Sequence, residues 1–295
     1  MFISSCKLFS LLINRKNINT LLDILMKKPC RPLRPNEMKI QYTFDKDIEI
    51  NTWRYVYLGI ATCSFVVSMS LCINLDKRKL TYPAWLPFDY SSTILYSLTF
   101  AHQLMCLIIG SFLNIACDSL FCGFLVHICC QIEILTYRLR ENISYSDILS
   151  ECIRQHCYIF RFAFIINTKF RLLVIVQFVI STLVVCFSLY RLTKTTSHAK
   201  HVEMTLCMMC MLTQIFFYCW YGNEVKLKSC ELSDNIFKME WITLNKKKKK
   251  SLIIIMRRAI MPIQITSAYI ISMNLESFMT ILKMSYSTYN LLQQI

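Results

Sequence analysis

Long apolar blocks separated by charged segments constrain the fold of this chain more than any other feature. A block of roughly 20 apolar residues is long enough to cross a hydrocarbon core about 30 Å thick. Only 17% of the residues are charged, whereas about a quarter are charged in a typical soluble domain. The sequence therefore predicts an all-α integral membrane protein, a helical bundle, and excludes a soluble fold.

Hydropathy predicts five membrane spans and the segments that connect them. The predicted segments are an N-terminal segment at 1–52, spans at 53–75, 93–135, 172–190 and 202–221, a loop and helix at 222–264, and a last span at 265–295. The second span corresponds to about 60 Å of helix, about twice what a bilayer requires. Its helix is therefore predicted to extend beyond the bilayer or to break. Pro262 interrupts the last apolar region, which predicts two helices in line.

The N-terminal segment is predicted to lie outside the membrane. Residues 14–52 are polar and are predicted to form a loop with short helical pieces around Asn19 to Met26. The short apolar stretch before them has no cleavage site typical of a signal peptide. It is expected to be the end of a helix whose beginning is missing.

The distribution of basic residues predicts the orientation. Of the Lys and Arg residues, 26 lie before the first span, between the second and third, or between the fourth and fifth, and 6 lie in the two opposite loops. Cytoplasmic loops carry the excess of positive charge, so the N-terminus is predicted to be cytoplasmic and the C-terminus extracellular. This topology is inverted relative to G-protein-coupled receptors. The glycosylation triplet Asn142-Ile143-Ser144 is then cytoplasmic and is expected to stay unmodified.

The net charge of +15 does not predict a nucleic-acid partner, because the basic residues lie between the apolar blocks as in a membrane protein. Most of the 16 cysteines lie inside those blocks, where cysteine behaves as a small hydrophobe. The Cys207-x-x-Cys210 pair lacks the second ligand pair that a zinc site requires. No nucleophile elbow, P-loop or HExxH motif is present. The sequence predicts no catalytic residue, no metal and no cofactor.

Charged residues within apolar blocks are the candidates for a functional role, because lipid exposure of such groups costs several kcal/mol. Asp118 lies deep in the second block, with Asn114 on the same helix face. It is either a polar packing or gating contact or a residue near the cytoplasmic exit. Glu276 and Lys283 share one face of the last span, where they either line an aqueous path or pair with neighbouring helices.

Aromatic and methionine side chains crowd the first four predicted spans. Such surfaces suit a small apolar ligand in a pocket between helices, although most of these residues are expected to serve packing.

Several sequence strings carry a resemblance to a known family. They are Cys-Trp-Tyr-Gly-Asn-Glu at 219–224, Met-Pro-Ile-Gln-Ile-Thr at 261–266, Asn-Leu-Glu-Ser-Phe at 274–278, Ile-Leu-Lys-Met-Ser-Tyr-Ser at 281–287, and Trp-Leu-Pro-Phe-Asp at 85–89. Together they resemble the insect odorant receptor family from about residue 15 to the end. That family has seven helices with inverted topology, so the five spans resemble its helices 3–7, with the first two missing.

The resemblance implies a subunit of an odour-gated non-selective cation channel that acts with a shared co-receptor as a heterotetramer. It implies a multi-pass protein of the plasma membrane, in the dendrites of sensory neurons, whose partners are a volatile apolar odorant, the co-receptor and membrane lipid. By alignment, Leu291 is the hydrophobic constriction of the pore and Gln294 is a polar lining residue. The implied odorant pocket lies in the outer half, where depth and chemistry select four candidates, Phe65, Met69, Phe100 and Met208.

Two alternatives remain at this stage. A gustatory-type chemoreceptor is favoured by Thr288-Tyr289, but Gln293 and Gln294 follow too early for that family's ending. A truncated, non-conducting subunit is the other alternative, because the missing second helix normally forms a wall of the odorant pocket.

Overall fold

The computed structural model describes residues 2–74, 80–82, 92–142, 146–239, 241, 244–267 and 271–294. The string at 85–89 and the Ile143-Ser144 part of the glycosylation triplet lie outside these residues.

The described part of the chain is almost entirely helical. Its helices are α1 (Phe2–Ile13), α2 (Arg15–Met26), α3 (Pro35–Met69), α4 (Thr93–Asn142), α5 (Ser146–Lys169), α6 (Arg171–Lys194), α7 (His198–Phe237), α8 (Lys246–Ala259) and α9 (Leu275–Gln294). A π-helical turn, Ser70–Asn74, extends α3, and two short strands, β1 (Thr266–Ser267) and β2 (Ile271–Ser272), pair antiparallel between α8 and α9.

Four described helices, α3, α4, α6 and α7, are long and apolar enough to cross a membrane. Helix α9, which lies within the last predicted span, is not among them. Its 20 residues include Glu276, Lys283 and several hydroxyl side chains, which lower its mean hydropathy.

The long helices extend well beyond the stretches that hydropathy selects. Helix α3 begins at Pro35, inside the segment predicted as a loop, and α7 continues to Phe237. The connection predicted to be polar between the second and third spans contains the 24-residue helix α5. Hydropathy detects only the parts of a helix that are apolar all round, whereas these extensions carry charged residues and pack through one face.

Helix α4 lies at the centre of the bundle and packs against α1, α3, α5 and α7. Its C-terminal half supplies much of the core, and Phe121, Leu125, Ile128, Leu135 and Leu139 are at most 1% exposed. Helix α6 packs against α7 and α9. The tightest packing therefore lies in the half of the bundle that contains the C-terminal half of α4.

The chain between α8 and α9 reverses direction through the two-stranded ladder. The Met273 amide donates to the Ile265 carbonyl at 3.0 Å, next to the ladder. The Asn274 side-chain oxygen then accepts a hydrogen bond from the Ser277 amide at 2.8 Å. This is the geometry of a helix N-cap, and it sets the start of α9.

Candidate functional site

A buried carboxylate joins four helices near the middle of the bundle. Asp118 of α4 is 2% exposed and forms an ion pair with Lys7 of α1. It also accepts hydrogen bonds from the hydroxyls of Tyr55 of α3 at 3.2 Å and Tyr218 of α7 at 2.9 Å. We call these four residues the Asp118 cluster.

The Asp118 cluster supports one of the two interpretations that the sequence left open, a polar packing contact; the depth of Asp118 in the membrane stays a prediction. The carboxylate is a polar contact between helices, since three donors from three other helices surround it. An ionised group so deeply buried requires such partners, because the cost of removing it from water is several kcal/mol. Asn114 lies one turn earlier on α4, and its side-chain oxygen has no hydrogen-bond partner among the described residues.

A chain of amides lies between α6 and α7. Gln177 of α6 is fully buried, and its side-chain nitrogen donates to Ser181 and to Gln214 of α7, each at 2.7 Å. The side-chain oxygen of Gln177 has no partner among the described residues. Hydropathy gave no signal for these glutamines, because single amides hardly change the mean value of an apolar span.

The four predicted ligand residues lie on three helices that pack against one another, α3, α4 and α7. Phe65, Met69 and Met208 are half-buried, and Phe100 is buried and stacks on Tyr96 with ring centroids 5.8 Å apart. These positions are compatible with a shared pocket, and the assignment stays a prediction.

One contact connects two of these helices, and a second connects α4 to the segment before it. Thr62 of α3 and Cys210 of α7, close in sequence to Phe65 and Met208, are 3.2 Å apart between Oγ1 and Sγ. On α4, the Gln103 side chain accepts from the amide of Tyr82 at 3.3 Å and donates to its carbonyl at 3.0 Å.

Tyr82, which the sequence analysis did not single out, lies over the ends of these helices. Burial and the nearby Glu203 and Cys207 of α7 raise the pKa of its phenol to about 12. The neutral phenol is a hydrogen-bond donor, and Tyr82 is 45% exposed.

Two cavities lie along different faces of α6. One, of about 230 Å³, lies between α1 and α6 and reaches Lys7 and Gln177. The other, of about 400 Å³, lies between α6 and α9 and is lined by Phe178, Leu183 and Ile281 among others. Neither cavity is lined by the four predicted ligand residues.

Helix α9 has one covered face and one bare face within this chain. Ile281 and Ser285 are buried against the bundle, whereas Glu276, Lys283 and Leu291 are exposed. Neither Glu276 nor Lys283 forms an ion pair with a described residue. The two charged residues and the predicted constriction at Leu291 thus face away from the chain's own core, while the side chain of Gln294 lies outside the described part.

The Cys-Trp-Tyr-Gly-Asn-Glu string has a physical reason for its glycine. A Cβ atom on Gly222 would lie 2.5 Å from the carbonyl oxygen and 2.6 Å from the Cβ of Met273. Helix α7 therefore approaches the backbone just before α9 at a distance that only glycine allows. Phe216, six residues before Gly222 on α7, also packs edge to face against Phe278 of α9, with ring centroids 5.6 Å apart.

A second buried ion pair lies toward the C-terminal end of α4. Arg138 donates from Nε and one terminal nitrogen to both oxygens of Glu37 of α3, at 3.0 and 2.7 Å. Its remaining N–H groups reach the Gln155 side chain of α5 at 2.8 Å and the carbonyls of Pro29 and Arg31. All five donors of the guanidinium therefore have acceptors. We call this set the Arg138 cluster.

The cysteines form neither a disulfide framework nor a metal site in the structure. All sixteen are free thiols. In the described part of the chain, no group of three or more His, Cys, Asp or Glu side chains is arranged to hold a metal ion.

Comparison with known proteins identifies the family. The sequence pattern of the 7tm odorant receptor family matches residues 1–286. This match begins earlier than residue 15, where the resemblance was predicted to begin, and it ends before Leu291. Odorant receptor 94a of Drosophila melanogaster is 23% identical over 280 residues, covering 86% of this chain and 70% of that protein. Odorant receptor 10 of Aedes albopictus is 26% identical over 259 residues, covering 83% and 69%.

The fold is also that of a solved receptor. The structure of the insect olfactory receptor OR5 from Machilis hrabei in complex with eugenol matches 99% of this chain and 78% of its own, with a TM-score of 0.89 and 19% identity. Because the family pattern matches 286 residues of the chain, this multi-pass membrane protein belongs to the 7tm odorant receptor family.

Proposed function

We propose that this chain is a ligand-binding subunit of an odour-gated, non-selective cation channel that works with a shared co-receptor in the plasma membrane of olfactory neuron dendrites. The observation that carries the proposal is the bare face of α9. Glu276, Lys283 and Leu291 are exposed in the isolated chain, and an ionisable residue in a membrane must face protein or water. A pore shared with neighbouring subunits provides both.

The proposal includes five spans, with α9 as the fifth, and an inverted topology. The segments on one side of the membrane carry 26 basic residues, and the two opposite loops carry 6. This difference supports a cytoplasmic N-terminus and an extracellular C-terminus. An epitope tag at the C-terminus should therefore bind antibody on intact cells, and a tag at the N-terminus should bind only after permeabilisation. The reverse labelling pattern would exclude this topology.

The proposed ligand is a small, volatile, mostly apolar molecule, bound between α3, α4 and α7. The apolar side chains Phe65, Met69, Phe100 and Met208 would supply the contact area, and the neutral phenol of Tyr82 would supply a hydrogen bond. Eugenol, bound by the Machilis receptor, is a reasonable first odorant in a test panel.

The decisive experiment measures odour-evoked cation current in cells that express this chain with the co-receptor, against cells with the co-receptor alone. We expect a ligand-dependent current that requires this chain. Silence across a broad odour panel, with the chain shown to reach the cell surface, would contradict the proposal.

Variants distinguish the pore from the pocket. Leu291→Ser should increase current in the absence of odour, because a polar side chain removes the hydrophobic barrier to water and ions, whereas Phe187→Ser, exposed on α6, should not.

In the pocket, Met208→Ala should weaken the response to odorant without changing the maximal current. Met209→Ala is the matched control, because the neighbouring side chain is exposed. Equal effects of the two substitutions would remove Met208 from the pocket.

A further inference from the structure

The cavity between α1 and α6 is separate from the proposed odorant pocket. It holds about 230 Å³, and most of its wall is apolar. Phe9, Ile13 and Leu172 line it and are exposed, so the cavity is open at the surface of the described part of the bundle. A small apolar molecule can enter from that side.

The two helices that form the cavity run antiparallel. The Asn14 side chain donates to the Lys169 carbonyl at 3.2 Å, which fixes one end, and Lys7 and Gln177 line the other end. Lys169 is the last residue of α5, and Gln177 lies six residues, or about 9 Å, beyond the start of α6 at Arg171. The cavity is thus a slot with the Asn14–Lys169 contact at one end and Lys7 and Gln177 at the other, which we call the inner end.

The inner end carries an unsatisfied hydrogen-bond acceptor. Both N–H groups of the Gln177 side chain are used by Ser181 and Gln214, and its Oε1 has no partner among the described residues. A buried polar atom without a partner costs about 1–3 kcal/mol. Lys7 lines the same cavity, and its ammonium has three donors, one of which is directed at Asp118.

We propose that this slot binds a small apolar alcohol or phenol, with its hydroxyl at the inner end. A hydroxyl group can donate to Gln177 Oε1 and accept from Lys7 at the same time. A carboxylate would place a second acceptor against Gln177, and an amine would place a cation against Lys7. An ether could accept from Lys7 but would leave Gln177 without a donor.

The position of the hydroxyl connects the slot to the Asp118 cluster through Lys7. A ligand whose oxygen accepts a hydrogen bond from Lys7 competes with Asp118 for the hydrogen-bond donors of that ammonium. Occupancy should therefore change the packing of α1 against α4, independently of the site for odorant between α3, α4 and α7. This inference goes beyond the proposed function, and binding is measured without any channel current.

The experiment uses Cys6, which lines the slot and is half-buried. The full chain, reconstituted in phosphatidylcholine nanodiscs, is alkylated with N-ethylmaleimide, and each cysteine peptide is quantified by mass spectrometry. Cys186 on α6 and Cys230 on α7, which do not line the slot, are internal references for effects on the bilayer and on the reagent. The probes are 1-octanol and heptyl methyl ether, which have the same number of heavy atoms.

We expect 1-octanol to slow alkylation of Cys6 at least fivefold relative to the two references, and the ether to slow it less than twofold. In Gln177→Leu, the effect of the alcohol should fall to that of the ether. Equal protection by the two probes in the unmodified chain, or none by 1-octanol, would overturn the proposal.

A second variant guards against misfolding of Gln177→Leu. Ser10 lines the slot from α1, so Ser10→Phe places a ring in it and leaves the residues of the amide chain unchanged, whereas Ser5→Phe places the same ring on an exposed position. Ser10→Phe should slow alkylation of Cys6 without any probe and remove the further effect of 1-octanol. Full protection by 1-octanol in Ser10→Phe would place the alcohol elsewhere and refute the site.

Discussion

The two buried ion pairs on α4 differ in how completely their hydrogen bonds are satisfied. Twenty residues, or about 30 Å of helix, separate Asp118 from Arg138. Every donor of Arg138 meets an acceptor, and two of those acceptors are the oxygens of one carboxylate. Near the Asp118 cluster, side-chain oxygens of Asn114 and Gln177 lack partners among the described residues, and beside the Arg138 cluster one ring nitrogen of His156 lacks a partner.

This difference indicates different roles for the two ends of α4. A completely satisfied buried network stabilises one arrangement, because any movement leaves a charge without a partner. In an incompletely satisfied network, the unpartnered polar atoms can form hydrogen bonds in a second arrangement of the side chains or with a bound ligand. We therefore expect the Arg138 cluster to fix the fold and the Asp118 cluster to move when the protein changes state.

The largest expected effect tests the rigid end. Arg138→Met leaves Glu37 buried without its partner, and removing one member of a buried pair costs about 3–5 kcal/mol. The thermal midpoint of the detergent-solubilised protein, followed by fluorescence-detected size exclusion, should fall sharply. Arg140→Met, on the exposed side of the same turn, should change it little, and similar midpoints for the two variants would refute the role given to the Arg138 cluster.

The next effect is a dependence on pH beside the same cluster. His156 of α5 follows Gln155 in sequence, and burial together with the nearby Arg258 lowers the pKa of its imidazole to about 4. The unfolded chain binds this proton near pH 6.5, so between pH 6.5 and 4 the unfolded state carries more protons than the folded state. Stability is therefore lost as pH falls through that window, by on the order of 3 kcal/mol.

Thermal midpoints measured from pH 7 to pH 4 check this prediction. His156→Met should lose less stability over the window than the unmodified chain. His198→Met, at an exposed position, should follow the unmodified chain. Parallel curves for all three proteins would show that His156 stays accessible to protons.

The third effect tests the contact between α7 and the start of α9. Gly222 lies one turn beyond Tyr218 of the Asp118 cluster, and a methyl group there overlaps the Met273 backbone. Overpacking of this kind costs about 1–3 kcal/mol, so Gly222→Ala should lower surface expression or odour-evoked current. Gly110→Ala, whose added Cβ meets its nearest neighbour at 3.7 Å, is the control, and equal currents from the two variants would contradict the close approach.

The smallest expected effect tests the ion pair between Lys7 and Asp118, in the cluster that is expected to move. Single substitutions Lys7→Met and Asp118→Asn each disturb the ion pair, and the double variant removes both of its charges. We expect a coupling energy of about 0.5–3 kcal/mol from the double-mutant cycle of thermal stability. Additive effects would mean that the two groups do not interact in the folded protein.

The sequence predicted the class of this fold well because lipid imposes a simple requirement on composition. The apolar blocks correspond to parts of α3, α4, α6 and α7, and the overlong second block is the 50-residue helix α4. The helical extensions and α5 were not predicted, because their amphipathic faces are covered by partners distant in sequence. Only tertiary structure reveals which partners those are.

The candidate sites were predicted less completely. Asp118 was singled out by its depth in an apolar block, but Lys7, Tyr55 and Tyr218 are 111, 63 and 100 positions away. No periodicity in the sequence connects such residues. Gly222 was noticed as part of a string, and its close approach to Met273 became visible only with the coordinates.

The length of α4 has a mechanical consequence. A straight helix of 50 residues is about 75 Å long, and a tilt of only about 5° about its middle displaces each end by about 3 Å. If the Arg138 cluster holds one end in place, the same tilt about that end would displace Phe100, which lies about 57 Å away along the helix, by about 5 Å. A small change of packing near the Arg138 cluster would then become a displacement of several Å next to the proposed odorant pocket.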